Sequence, residues 1–348
     1  MRDAEAARAV RNALTTLIAR GDLSRREAER LFEILIDGQL SETVKAALLV
    51  ALATKGETVA EVSGAAVVMR SRVLEISTDV ENLVDTCGTG GDGAGTFNIS
   101  TAAALVAAAA GIPVAKHGNR SVSSRCGSAD VLEALGVEVQ TDPAGAASAL
   151  SEIGIAFLYA PDLHPAMRQV ATVRKDLGVR TIFNLLGPLT NPARARRQVI
   201  GVFEERMVEL VGQALLELGC DHALVVRGRD GLDEMTTTNE TLVAEIRDGG
   251  LETYVVMPEE LGLRRADPQH LLGGGPGQNA AILQRVLDGE MGPVGDITVL
   301  NAGAAIYVGG ASRSLEEGVE LAREVQRSGA GAEKLEELRK FTTRASAQ

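Results

Sequence analysis

Five glycines within eight residues, Gly88, Gly90, Gly91, Gly93 and Gly95, lie between the apolar pair Leu83-Val84 and the polar set Thr96, Asn98, Ser100 and Thr101. Glycines let a backbone turn tightly and bring its N–H groups against a ligand. An Ala-rich run, Ala102 to Ala110, follows and reads as a helix. Strand, glycine loop and helix N-terminus in that order suit a phosphate or diphosphate, because loop amides and helix dipole both favour negative charge. A plain tight turn has the same composition. Gly88, Gly90 and Gly93 also fit the dinucleotide pattern G-x-G-x-x-G, which wants an acidic residue about 20 positions on. After the next strand-like run the chain offers Lys116 instead. No Gly-Lys-Ser/Thr closes a Walker loop. What remains is a phosphate site of another kind, with Lys116 as a second anchor.

Two further runs carry chemistry. Lys116, His117, Gly118, Asn119, Arg120, Ser121, Ser123, Ser124, Arg125 and Ser128 crowd cations, amides and hydroxyls into thirteen positions. Such a run is either a polar surface loop or a cradle for an anion or sugar phosphate. A glycine-rich anion loop one βα unit earlier favours the cradle. Asp230, Asp233 and Glu234 follow the strand candidate Ala223–Val226. They are either a solvated acidic turn or a Mg²⁺ site, since that ion takes one or two carboxylates together with water and phosphate oxygens. His117, His164, His222 and His270 show no i,i+4 pairing and make no zinc pattern. Only His117 draws interest, by position. Arg168, Arg174, Lys175 and Arg180 are either surface charges or the place where one arginine fork grips a carboxylate-bearing second substrate.

The elements that must position these residues read as follows. Residues 1 to about 72 are helical throughout. Ser24 with Glu27 and Thr58 with Glu61 have capping-box spacing, and Ser41 is placed to cap a helix ending at Gly56. An apolar helical segment of this kind also offers a subunit contact, so a dimer is expected. From Val73 strands alternate with helices. The strand candidates are Leu83–Val84, Pro113–Ala115, Ala156–Ala160, Val199–Phe203, Ala223–Val226 and Tyr254–Met257, with helices at Asp130–Leu135 and Pro143–Ile153. The alternation predicts an α/β layer with a mainly parallel sheet and ligands at the carboxyl ends of its strands. The segment from Pro165 to Arg197 breaks the rhythm and reads as a crossing back to the N-terminal helices. Ser312 to Phe341 reads as two scaffold helices.

The bulk composition of the 348 residues agrees with this layout. The chain is 45% hydrophobic with 3% aromatics and no tryptophan, so the core is expected to pack small residues closely. A net charge of −12 argues against broad binding to nucleic acid or anionic membrane. Three scattered cysteines, Cys87, Cys126 and Cys220, form no disulfide framework and fit a reducing cytoplasm. No apolar run is long enough to span a membrane.

Four motifs in order, DTCGTGGDGAGTFNIST, KHGNRSVSSRCGSADVLEALG, HPAMRQVATVRKDLGVRTIFNLLGPLTNPA and GRDGLDEMTTTN, resemble those of the anthranilate phosphoribosyltransferase family. The likeness covers almost the whole chain. It implies a small helical domain, residues 1–72 joined by a returning segment near 165–197. It also implies a large α/β domain, residues 73–164 and 198–348, of the type shared with nucleoside phosphorylases. It implies transfer of the phosphoribosyl group of 5-phosphoribosyl diphosphate (PRPP) to the amine of anthranilate, in tryptophan biosynthesis, by a homodimer. By motif, Gly88, Gly91, Asp92, Thr96, Asn98, Ser100, Thr101, Lys116 and Ser128 would contact PRPP. Ser100, Asp233 and Glu234 would serve two magnesium ions. Gly88, Asn119 and Arg174 would hold anthranilate. No catalytic residue is assigned, only positioning by Lys116, Asn119 and Arg174. The sequence departs from the family at Arg125-Cys126, where Lys-Ser is expected. A pyrimidine nucleoside phosphorylase using inorganic phosphate and a non-catalytic nucleic-acid binder are the competing classes. The intact acidic pair, the complete glycine loop and the negative charge oppose the latter.

Overall fold

The computed structural model describes residues 2–38, 40–121, 125–140 and 142–346. Its strands are β1 (Val84–Asp85), β2 (Val114–Gly118), β3 (Ile155–Tyr159), β4 (Arg197–Gly201), β5 (His222–Gly228), β6 (Thr241–Arg247) and β7 (Gly250–Val256). They form one seven-stranded sheet in the order β3-β2-β1-β4-β5-β6-β7. The five strands from β3 to β5 are parallel, and β6 and β7 add an antiparallel edge. The mainly parallel sheet agrees with the alternating pattern in the sequence.

Two features differ from the sequence reading. The strand β6 is absent from the six candidates. It is joined to β7 by a two-residue turn at Asp248 (φ 51°) and Gly249 (φ 75°), the left-handed geometry that Asp-Gly pairs favour in hairpins. The strand β2 also runs on to Gly118, past the expected end at Ala115. Lys116 and His117 are therefore strand residues whose side chains leave opposite faces of the sheet.

Four helices lead the chain: α1 (Arg2–Ile18), α2 (Arg25–Ile36), α3 (Glu42–Lys55) and α4 (Val59–Arg70). Both expected capping boxes form, and the Ser41 side chain caps α3, which ends at Gly56. The next helices are α5 (Ile99–Ala109), α6 (Ser128–Ala134), α7 (Pro143–Ile153), α8 (Ala160–Leu163), α9 (Arg168–Leu177) and α10 (Ile182–Leu186). The remainder are α11 (Arg206–Glu217), α12 (Pro276–Leu287), α13 (Pro293–Gly309), α14 (Leu315–Ser328) and α15 (Ala330–Ser346).

The helices divide between apolar clusters. One joins β1, β2 and β5 to α5 and to the C-terminal helices α12 to α15. Small residues bring these helices close: a Cβ on Gly303 of α13 would lie 2.6 Å from Val319 Cα of α14. A second cluster joins α11 and the other face of β4 and β5 to α1–α4, α9 and α10, through Phe32, Leu48, Val170 and Phe183 among others. Polar ties reinforce it. Lys45 Nζ of α3 donates to Gln169 O of α9 at 2.6 Å, and Arg70 Nε of α4 donates to Leu189 O at 2.7 Å. The segment that breaks the α/β rhythm thus packs on the N-terminal helices. No helix among the described residues is long and apolar enough to cross a membrane.

Candidate active site

The strand order dictates which loops meet. Because β4 lies between β1 and β5, the loops leaving the carboxyl ends of β1 and β5 converge over the end of β4. Thr89 N donates to Gly201 O at 2.8 Å, and Gly90 N donates to Asp233 Oδ2 at 2.7 Å, joining segments 143 residues apart in sequence. Two glycines make this approach possible. A Cβ on Gly201 would lie 1.4 Å from Asp233 O, and one on Gly88 would lie 3.0 Å from Asp233 Oδ2. Gly201 escapes the sequence reading, although a glycine ending a buried apolar strand is a recognisable sign of close backbone approach. Gly90, Gly91, Gly93 and Gly95 all have positive φ, between 67° and 83°, so this loop course is strained for any other residue.

Beneath the loop, Lys116 is buried and donates to Thr86 O at 2.9 Å, Thr86 Oγ1 at 3.3 Å and Ser100 Oγ at 3.3 Å. These bonds place a cation at the N-terminus of α5. The Ser100 backbone donates to the Glu234 carboxylate. Asp92 hydrogen-bonds Asp233. Ser100, Lys116, Asp92, Asp233 and Glu234 therefore form one cluster. Burial raises the pKa of Asp233, and the charge of Asp92 adds to it; burial and then the Asp233 charge raise Glu234. Three carboxyl groups this close, two with raised pKa, retain protons that a divalent cation would displace. Hard carboxylate and hydroxyl oxygens are what Mg²⁺ takes, so the residues fit that ion.

Other expected residues fall in different surroundings. Asn98 spends its side chain on the protein: Nδ2 donates to Cys126 O at 3.2 Å, and Oδ1 accepts from Asn279 Nδ2 at 2.8 Å. Asn279 in turn accepts from Gly274 N at 2.7 Å. In the sequence its only sign is the preceding Gly273–Gly275 run. Thr96 pairs by its backbone with Leu272. Thr101 has its side chain in the core. The His117 ring turns to the opposite face from Lys116 and meets His164, Nε2 to Nε2 at 3.0 Å. Burial, reinforced by the neighbouring His164, pushes His117 down to about 3, and burial pushes His164 down to about 4, so both rings are neutral at pH 7. The His117 backbone N–H instead holds Asp85 Oδ1 at 3.0 Å, while Asn191 Nδ2 holds Oδ2 at 2.7 Å. Burial pushes Asp85 up to about 6 despite these bonds.

The donor-rich loop is pinned from one side. Asp130 Oδ2 accepts from Ser121 N at 3.0 Å and Gly127 N at 2.8 Å. Ser128 Oγ joins both backbone groups of Asn119, at 3.2 and 3.3 Å. Gly118 admits this contact, because a Cβ there would lie 2.3 Å from Ser128 Oγ. The Arg120 guanidinium is occupied by Glu133, Asp130 and Tyr159. The sequence reading has it facing an anion; here it clamps α6. Ser123 and Ser124 lie outside the described residues. Arg125 is exposed and Cys126 is buried in the core, its thiol pushed up to about 11 by burial. Arg174 lies on α9 with its Cζ 5.6 Å from the Phe183 ring centre, and it forms no ion pair among the described residues. Burial lowers its pKa. A partly buried, unpaired guanidinium is a ready partner for a carboxylate.

Comparison with known proteins agrees with this geometry. A family model described as "Glycosyl transferase family, a/b domain" matches residues 80–332, and one described as "Glycosyl transferase family, helical bundle domain" matches residues 11–73. The anthranilate phosphoribosyltransferase of Desulfosudis oleivorans is 52% identical over 94% of this chain and 97% of its own. That of Acetivibrio thermocellus is 48% identical over 96% of each. The crystal structure of the Thermus thermophilus enzyme superposes with a TM-score of 0.90 at 47% identity, covering 95% of this chain and 99% of that one. The chain belongs to the anthranilate phosphoribosyltransferase family. The Saccharomyces cerevisiae anthranilate phosphoribosyltransferase, solved in complex with PRPP and Mg, has a TM-score of 0.87 at 25% identity, over 96% of this chain and 98% of that one. Within the anthranilate phosphoribosyltransferase family, the present chain thus keeps both the helical bundle and the α/β part.

Proposed function

We propose that this enzyme transfers the phosphoribosyl group of PRPP to the amine of anthranilate, releasing pyrophosphate, as a step of tryptophan biosynthesis. The observation that carries the reading is the meeting of the glycine loop with Asp233 over Gly201, with Glu234 on the Ser100 backbone beside it. Backbone amides of the loop from Gly91 onward, beyond the already bonded Thr89 and Gly90 N–H groups, and the N-terminus of α5 would hold the diphosphate. Ser100, Asp233 and Glu234, with Asp92 beside them, would hold Mg²⁺, in our reading two ions. Held by these residues, Mg²⁺ would supply positive charge to offset what develops on the departing pyrophosphate. Lys116 holds the α5 terminus and the Thr86 backbone in place under that loop.

Arg174 would hold the anthranilate carboxylate, with Asn119 and Gly88 completing that site. An aromatic amine is neutral at pH 7 and already nucleophilic, so the chain needs no strong general base. The buried neutral pair His117–His164 accordingly lies on the other face of the sheet. Positioning and electrostatic stabilisation of the positive ribose carbon supply most of the acceleration.

We read residues 1–72 with the segment near 165–197 as the small domain, and 73–164 with 198–348 as the large one. Exposed Ile18 and Val50 on the N-terminal helices support a homodimer formed there, in the cytoplasm. The test is loss of anthranilate fluorescence with PRPP and Mg²⁺ each omitted in turn. Loss only with both present is expected. Turnover of thymidine or uridine with inorganic phosphate, and none of anthranilate, would overturn the reading.

A further inference from the structure

Arg180 lies between α9 and α10, in the short exposed connection that follows the left-handed Gly178. Among the described residues it donates from Nη2 to the carbonyl of Gly91 in the glycine loop. Its Cζ lies 4.2 Å from the centre of the Phe203 ring, two residues past the end of β4. The contact is close because Gly91 is bare: a Cβ there would come within 3.3 Å of Arg180 Nε. Phe203 is buried and therefore a fixed platform.

Deepening the functional reading above, we propose that Arg180 is a positioning residue that sets the diphosphate loop by fixing the Gly91–Asp92 peptide. A trans peptide points its C=O and N–H in opposite directions. Holding the Gly91 carbonyl toward Arg180 therefore turns the Asp92 N–H away from it. The same peptide carries Asp92, whose carboxyl meets Asp233. A loop with four glycines at positive φ has many other courses open to it, and a charge-assisted hydrogen bond combined with a stacked guanidinium selects one. Arg180 also stands six residues after Arg174, in the connection leaving α9, so the segment that would carry the carboxylate-binding arginine also secures the loop that would carry the diphosphate.

The experiment compares the full-length enzyme with Arg180→Ala, Arg180→Lys and Phe203→Leu. Hydrogen exchange of the Gly90–Gly95 amides, without ligand, is the readout independent of turnover. Arg180→Ala and Phe203→Leu should each speed this exchange several-fold. They should raise the PRPP KM about tenfold and leave the anthranilate KM within about twofold. Arg180→Lys, which keeps the charge and loses the fork and stack, should behave like Arg180→Ala. Unchanged exchange in Arg180→Ala overturns the proposal. So does a raised PRPP KM with Phe203→Leu silent and Arg180→Lys normal, because the cation would then act on the ligand itself. If the unaltered enzyme does not bind PRPP, the functional reading fails instead, while the exchange arm still tests the loop.

Discussion

At the scale of single residues the site is a set of charges that the free protein does not balance. Arg174 is the simplest case. It stacks against Phe183 and has no acidic partner among the described residues, so its fork is available to a substrate carboxylate. Arg174→Ala should raise the anthranilate KM roughly 10- to 100-fold, the worth of about 1.5–3 kcal/mol in a charge-assisted hydrogen bond. The PRPP KM should change little, and collapse of PRPP binding would contradict the assignment. The carboxylates give a pH prediction. A carboxyl whose folded pKa is raised contributes stability below its unfolded value and loses it as pH rises through the folded one. Asp233 and Glu234 are both raised, by burial first and then by neighbouring negative charge. The metal-free protein therefore loses stability from this pair as pH climbs above the ordinary carboxylate range. The double variant Asp233→Asn, Glu234→Gln should melt higher than the parent without metal, by a margin that widens from about pH 5 to about pH 8. A margin that stays flat across that range would mean that folding raises neither pKa. His117 and His164 titrate in both proteins and cancel in the comparison.

At the scale of elements, the decisive fact is that β4 separates β1 from β5 and ends in a glycine. Gly201→Ala puts a methyl group 1.4 Å from Asp233 O, so the acidic loop must move. Overpacking of this kind costs about 1–3 kcal/mol, which a protein of this size survives. A displacement of about 1 Å in a positioned group costs on the order of 100-fold in rate. The variant should keep its circular dichroism and lose about that much kcat/KM, and near-normal turnover would show that the acidic loop is not held there. The sequence revealed the glycine loop, both capping boxes and the acidic pair, because each is a local pattern with a local cause. It concealed Gly201 and Asn279, whose contacts with Asp233 and Asn98 span 32 and 181 residues. It misplaced Lys116 and His117 by ending β2 early, since a lysine and a histidine look like loop residues until Thr86, Ser100 and His164 are known to satisfy them. Arg120 reads as an anion ligand for a similar reason: Glu133 is distant from it in the string and adjacent on α6. The strand β6 is hidden in the sequence because Thr241, Glu245 and Arg247 interrupt its apolar pattern, although Asp248-Gly249 marks its hairpin.

At the scale of the whole molecule, a chain of net charge −12 is asked to bind a highly anionic substrate. PRPP alone would add negative charge beside Asp92, Asp233 and Glu234. A divalent cation alone would meet those carboxylates without the phosphate oxygens that normally complete its shell. Each ligand therefore removes the penalty facing the other, and linkage makes that assistance reciprocal. In thermal melts, saturating PRPP with Mg²⁺ should raise Tm by more than the sum of the shifts from either alone. A coupling of about 1–3 kcal/mol is the usual range for such linked sites. The excess should shrink in the Asp233→Asn, Glu234→Gln variant, whose cluster keeps only the Asp92 carboxylate to repel the diphosphate and hold the ion. Simple additivity in the parent would mean that diphosphate and metal occupy separate places, and that the convergence over Gly201 serves the fold alone.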